Sequence, residues 1–177
     1  MGQSDCHRHS DLKAHVSILT ISDTRTIDTD ESGRLIREKL ESAGHTVVDY
    51  RITTDDTEAI REVLVHFLDD ASTDAIVTNG GTGISPRDQT VEVVSRLLDK
   101  TLDGFGELFR FLSYEEIGSS AMMSRAIGGI ARGKPVFALP GSKAAVRLGM
   151  ERLILPELPH LLYELQKHAA RPHKPHG

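Results

Sequence analysis

Two periodicities alternate along this chain, and that alternation restricts its fold more than any other feature. Short runs rich in β-branched residues, the first from His15 to Ser22, precede segments whose apolar residues recur at helical spacing. The clearest such segment puts Ile60, Val63, Leu64, Phe67 and Leu68 on one face of a helix. Glu31 to Ala43 does the same with Leu35, Ile36 and Leu40, and Gly44 follows where a left-handed terminator belongs. Thr46 to Ile52 and Asp74 to Thr78 read as further strands, and a helical pattern carried by Val91, Val94, Leu97 and Leu98 starts at Thr90. After Asp103 a helix is expected with a break near Gly118 to Ser120, then a strand from Pro135 to Leu139. The turn Pro140-Gly141-Ser142 opens another helix. Leu158, Leu161, Leu162 and Leu165 mark a last one, with Pro156 in its first turn. Strands alternating with helices predict an α/β fold: a three-layer α/β/α domain on a largely parallel sheet.

Composition narrows the function classes. Across 177 residues, 21 Lys and Arg face 26 Asp and Glu for a net charge of −5, so a general nucleic-acid footprint is not expected. One cysteine, Cys6, builds neither a disulfide framework nor a zinc ribbon. No apolar run reaches the roughly 20 residues of a membrane span, and the first 15 residues lack the apolar stretch of a secretion signal, so a cytoplasmic protein without a membrane partner is expected. Residues 1–13 and 169–177 read as flexible tails around one domain, 14–168. The tail histidines and Cys6 read as unstructured rather than as a metal site.

Ligands of open α/β sheets gather at the carboxyl ends of the strands, which directs attention to the loops 23–30, 53–56, 79–89 and 140–143. Gly80-Gly81-Thr82-Gly83 lets backbone N–H groups approach an anion, with the Thr82 hydroxyl as a further donor. The same glycines would also serve a tight strand-to-helix reversal. Neither a P-loop nor a dinucleotide fingerprint matches, since Pro86 stands where the third glycine would fall. Arg87 and Asp88 follow, and a carboxylate beside a phosphate cradle calls for a cation. Mg²⁺ held by Asp88 and Asp55 from neighbouring loops would meet that need. The alternative is local capping: Asp88 for the helix that follows, Asp55 in a pair with Glu58. Arg87 offsets phosphate charge or forms an exposed ion pair. Phe105, Phe109, Tyr114, Met122 and Met123 read as core, and Phe105, Leu108, Phe109, Phe111 and Leu112 together also read as a candidate oligomer surface.

The stretches ISDTRTIDTDESG from Ile21, TNGGTGISPRDQT from Thr78, DGFGELFRFLSYEEIGSSAMMSRA from Asp103 and LPGS from Leu139 resemble the molybdopterin-binding proteins of the MoaB and MogA group, the MoaB branch more than the MogA branch. The resemblance spans most of His15 to Lys167. It implies an α/β/α domain, a homotrimer or homohexamer, and binding of molybdopterin. In the MogA-like members it implies adenylylation of molybdopterin with Mg·ATP. It puts the catalytic aspartates on Asp55 and Asp88, the adenylate-binding loop on Gly80 to Gly83, and further site positions on Ser22, Asp23, Pro140, Gly141 and Ser142. Thr54 stands where a proline is common, and Asp56 makes the assignment of Asp55 ambiguous by one residue. The branch leaves three readings open: a transferase, a non-catalytic pterin carrier, or a trimeric scaffold domain. Each could hand its product or cargo to a downstream molybdenum-insertion protein.

Overall fold

A computed structural model describes residues 11–169. The expected tails, with Cys6, His7, His9, His173 and His176, lie almost wholly outside the described residues. Six strands form one sheet: β1 (His15–Ile21), β2 (Thr46–Thr53), β3 (Ala75–Asn79), β4 (Lys100–Thr101), β5 (Ile127–Ala131) and β6 (Lys134–Leu139), in the order β2-β1-β3-β6-β5-β4. The first four in that order run parallel, while β5 is antiparallel to both β6 and β4.

Strand alternation explains the layers. Val16 and Ile18 of β1, with Val77 and Phe137, pack against α1 (Glu31–Ser42), α4 (Asp103–Ile117), α5 (Lys143–Gly149) and α6 (Leu155–Ala169). Leu19 and Ile21 point the other way, with Ile76 and Val136, against α2 (Thr57–Asp69) and α3 (Thr90–Leu97). A strand buried on both faces is what a parallel sheet between two helix layers requires. The chain leaves β1 toward β2 on one side and leaves β3 toward β6 on the other. The crevice outside the carboxyl ends of β1 and β3 is therefore the topological switch point.

Several expectations change. The aspartate that starts α2 is Asp56, whose carboxylate accepts from the Ala59 N–H at 3.0 Å; the Asp55–Glu58 capping pair does not form. Asp88 does not cap α3, whose first flanking residue is Gln89, and instead accepts from the Ser85 N–H at 3.0 Å within its own loop. Strands β4 and β5 were not expected. Pro156 stands in the first turn of α6, as expected, but α6 is not set off by a loop: α5 runs through a π turn, Met150–Ile154, straight into it. Phe105 and Phe109 are core, as read, but Tyr114 is 62% exposed and Met122 82% exposed. Tyr114 stands on the solvent face of α4, and Met122 stands on the 3-10 segment, Gly118–Met123, that follows the break. Of the candidate oligomer residues, Phe105 and Phe109 are thus taken by the core, whereas Leu108 and Phe111 face solvent. Among the described residues, no helix is long and apolar enough to cross a membrane.

Candidate functional site

A cleft of about 580 Å³ opens at the switch point. One wall is the turn after β3. Gly80 and Gly81 have φ of +93° and +66°, which L side chains rarely adopt, and a Cβ on Gly80 would fall on the Ile21 carbonyl oxygen. The carbonyls of the turn are tied away from the cleft. Thr90 donates from its hydroxyl to Gly80 O at 2.9 Å and from its N–H to Gly81 O at 3.0 Å, and Arg125 Nε donates to Gly83 O at 2.9 Å. Among the described residues the N–H groups of Gly81, Thr82 and Gly83 have no hydrogen-bond acceptor. Three adjacent amides without acceptors make an anion cradle.

Both acids expected at the site stand against this turn. A Cβ on Gly83 would lie 2.6 Å from Asp88 Oδ2, and one on Gly81 would lie 3.3 Å from Asp55 Oδ1. Burial, then the charges of Asp88 and Asp23, push the Asp55 carboxyl above its ordinary range, against the lowering effect of the Gln89 N–H. Two carboxylates that repel one another beside free amides could hold a hard divalent cation, Asp88 from the cleft lining and Asp55 from the back of the turn. Among the described residues no group of three or more His, Cys, Asp and Glu could hold a metal ion by itself. The geometry also separates Asp55 from Asp56: the first stands at Gly81, the second caps α2.

The sequence relatives agree with the architecture. Residues 17–160 match the family described as a probable molybdopterin binding domain. The chain is 51% identical over 168 residues to molybdenum cofactor biosynthesis protein B of Bacillus cereus, spanning 94% of this chain and 99% of that one. The chain belongs to the molybdenum cofactor biosynthesis protein B family. A crystal structure of a molybdenum cofactor biosynthesis protein B is similar with a TM-score of 0.86 and 54% identity, covering 88% of this chain and 98% of that one. The crystal structure of tungsten cofactor synthesizing protein MoaB from Pyrococcus furiosus gives 0.74 and 38%, with coverage of 90% and 98%.

In this member of the MoaB family the remaining expected residues divide into lining and bracing groups. Ser22, Gly80 to Gly83, Asp88, Pro140, Gly141 and Ser142 line the cleft. Ser22 Oγ also accepts from the Arg25 N–H at 3.0 Å, and Ser142 Oγ caps α5 through the Ala145 N–H at 3.2 Å. Asp23 and Arg87 are not among the lining residues. Asp23 Oδ1 accepts from the Asp55 N–H at 3.0 Å, and its Oδ2 accepts from Arg87 Nε at 2.7 Å, so one carboxylate straps together the loops after β1, β2 and β3. The Asp55 N–H and then the Arg87 guanidinium hold the Asp23 carboxyl below its usual range.

Sequence reasoning missed three features of the site. Arg125 clamps the turn from the far side: besides Gly83 O it donates from Nη2 to Asp88 O at 3.2 Å, while its guanidinium pairs with the Glu92 carboxylate. That pairing holds Glu92 below its usual range. No local pattern announces it, because its partners lie over thirty residues upstream. The second wall is formed by Phe109, Ser113, Ile117 and Met123; Phe109 and Met123 read as core in the sequence, and Ser113 and Ile117 carry no signal there. Arg25 also lines the cleft. Its signal was present: it is the lone cation among the three aspartates of the loop 23–30.

Proposed function

We propose that the cleft binds molybdopterin and Mg·ATP and transfers AMP to the terminal phosphate of the pterin. The observation that carries this reading is the placement of Asp55 and Asp88 at Gly81 and Gly83 of one anion-cradling turn. The family's description as a probable molybdopterin binding domain supports the pterin half, and the amide cradle with paired carboxylates supports the nucleotide half.

In the transfer, an oxygen of the pterin phosphate attacks the α-phosphorus of ATP. The new P–O bond forms as the bond to the β-phosphate breaks, and pyrophosphate leaves with the electron pair. Such chemistry needs positioning and charge neutralisation rather than covalent catalysis by the protein. The amides of Gly81, Thr82 and Gly83 orient the adenylate phosphates. Asp88, with Asp55 behind the turn, would hold the magnesium ion, which supplies charge neutralisation when bound. Asp23 and Arg87 keep the two acid-bearing loops in register. The wall of Phe109, Ile117 and Met123 offers an apolar surface to a flat ring system and keeps water from it. The solvent-facing Leu108 and Phe111 would be covered in a trimeric or hexameric assembly of the chain.

Transfer of radiolabelled AMP from ATP to molybdopterin by the purified chain tests the proposal. Asp88→Ala and Asp55→Ala should each lower transfer by about 100-fold or more, with circular dichroism unchanged, because both side chains sit in loops. A chain that binds the pterin tightly and never binds ATP is a carrier, and that outcome defeats the transferase reading.

A further inference from the structure

The cleft pairs one lining carboxylate, Asp88, with one lining cation, Arg25. Arg87, the other basic residue near the turn, is spent on Asp23 and points its charge into a strap rather than the cleft. An anionic guest therefore meets Arg25 alone among the cationic side chains that line its site.

The way Arg25 is held leaves it available. Its Nη2 donates to Gly141 O at 3.3 Å, and its Nη1 stands 3.5 Å from Asp30 Oδ1. Asp30 is fully buried, 0% exposed, and its short hydrogen bonds come from elsewhere: the Gly33 N–H reaches Oδ1 at 2.9 Å and the Tyr50 hydroxyl donates to Oδ2. The carboxylate thus supplies a fixed counter-charge behind the guanidinium without saturating it. A guanidinium has five N–H donors, and one of them is engaged in a hydrogen bond here. The side chain keeps 35% of its surface exposed. Position agrees as well. A Cβ on Gly141 would lie 4.0 Å from Arg25 Nη1 and 3.3 Å from Gly80 Cα, so the guanidinium stands close to the glycine turn, at the meeting of the loops after β1, β3 and β6. Ser32 Oγ donates to the same Gly141 carbonyl at 2.7 Å and fixes that corner independently of the arginine.

We propose that Arg25 is the specificity-determining residue through which the cleft recognises a phosphate-type oxyanion of its substrate, with the buried Asp30 carboxylate, held by the Tyr50 hydroxyl, as the positioning group behind it. The planar fork of arginine matches such an anion in two-point fashion, which a lysine at the same place cannot reproduce. The inference deepens the transferase reading and takes the identity of the two substrates from it, but its first test needs neither substrate.

That test is a titration of the full chain with inorganic pyrophosphate, followed by thermal shift and calorimetry. Arg25→Ala should weaken pyrophosphate binding by on the order of 30-fold, and Arg25→Lys should recover only part of the loss. The melting temperature without ligand should stay within a few degrees of the unaltered chain, because Ser32 still holds Gly141. Equal pyrophosphate affinity in the unaltered chain and Arg25→Ala, or full recovery by lysine, overturns the proposal. Two matched pairs then find the source of the anion: molybdopterin against its dephosphorylated form, and ATP against adenosine. Loss of the phosphate advantage in Arg25→Ala for the pterin pair assigns the residue to the pterin, and loss for the nucleotide pair assigns it to ATP. An unchanged advantage in both pairs overturns the proposal. Failure of AMP transfer alongside Arg25-dependent pyrophosphate binding would defeat the transferase reading and leave this one standing.

Discussion

On one side of the cleft Gly80, Gly81 and Gly83 have their carbonyls tied down by Thr90 and Arg125 and their neighbouring loops strapped by Asp23; on the other, Ile117 and Met123 stand on the end of α4 and the 3-10 segment, 60% and 49% exposed. The first wall is polar, cross-linked and built from backbone. The second is apolar and offers side chains with few partners. The difference indicates what each wall supplies: a preorganised backbone holds charge, where sub-ångström placement matters, and an adaptable apolar surface holds a ring, where area matters. Substitutions should therefore cost stability on the first wall and affinity on the second.

The largest effect is expected at Gly80. An alanine there must adopt a φ of +93° and press its Cβ on the Ile21 carbonyl. The strain of a left-handed residue and the backbone clash together should destabilise the chain by about 3 kcal/mol or more. Chemical denaturation of Gly80→Ala checks this. A loss below about 1 kcal/mol would mean that β1 and β3 yield easily at their ends, and the description of a rigid wall would fail.

Arg125→Ala comes next. It removes the donors to Gly83 O and Asp88 O and leaves Glu92 without its partner. The expected loss is about 1 to 2 kcal/mol, because these hydrogen bonds are partly exposed. Anion affinity should fall with it, since the clamp presents the amides. If stability falls and anion affinity does not, the turn holds its shape without the clamp, and Thr90 alone accounts for it.

The two walls also differ in how far the sequence disclosed them. Gly80 to Gly83, Asp55 and Asp88 are legible because a glycine cluster between a strand and a helix has a local signature. The parallel half of the sheet is legible for a similar reason, since β1, β2 and β3 carry β-branched runs and β6 a short apolar one, each followed by a helical period. Strand β5 is not, because Gly128 and Gly129 deprive it of the usual side chains. A Cβ on Gly128 would sit 2.8 Å from Phe137 Cδ1 and 2.9 Å from Phe105 Cγ, so the glycine is demanded by packing from α4 and β6, which no local window contains. Arg125 escapes for the same reason. Met122 turns outward because the helix breaks at Gly118, whose φ of +67° redirects the chain, whereas Tyr114 is exposed on the solvent face of α4 itself.

On the apolar wall the expected effect moves from stability to affinity. Ile117→Ala removes a side chain that is already 60% exposed, so the melting temperature should shift by about 1 °C or less. Burial of that side chain under a bound ring should be worth about 1 kcal/mol, or roughly fivefold in pterin affinity. ATP affinity should be unchanged. A drop in ATP affinity with no change for the pterin would exchange the roles of the two walls.

The smallest loss of stability, in fact a gain, and the effect that best isolates the electrostatics of the polar wall, is at Asp55. Burial and the nearby Asp88 and Asp23 raise its folded pKa above the unfolded value, so the folded chain binds this proton more tightly than the unfolded chain does. Stability then falls as pH rises from about 4 through the raised pKa, and the full penalty is present at neutral pH. Asp55→Asn carries no such charge. At pH 7 the variant should melt about 1 to 2 °C above the unaltered chain, and the gap should close as pH falls toward the unfolded pKa. The same substitution should abolish AMP transfer, so one position would trade stability for function in opposite directions. A variant less stable than the parent at pH 7, or a gap that widens in acid, would show that the hydrogen bond from the Gln89 N–H outweighs the repulsion, and the turn would then hold its acids at rest without needing a cation.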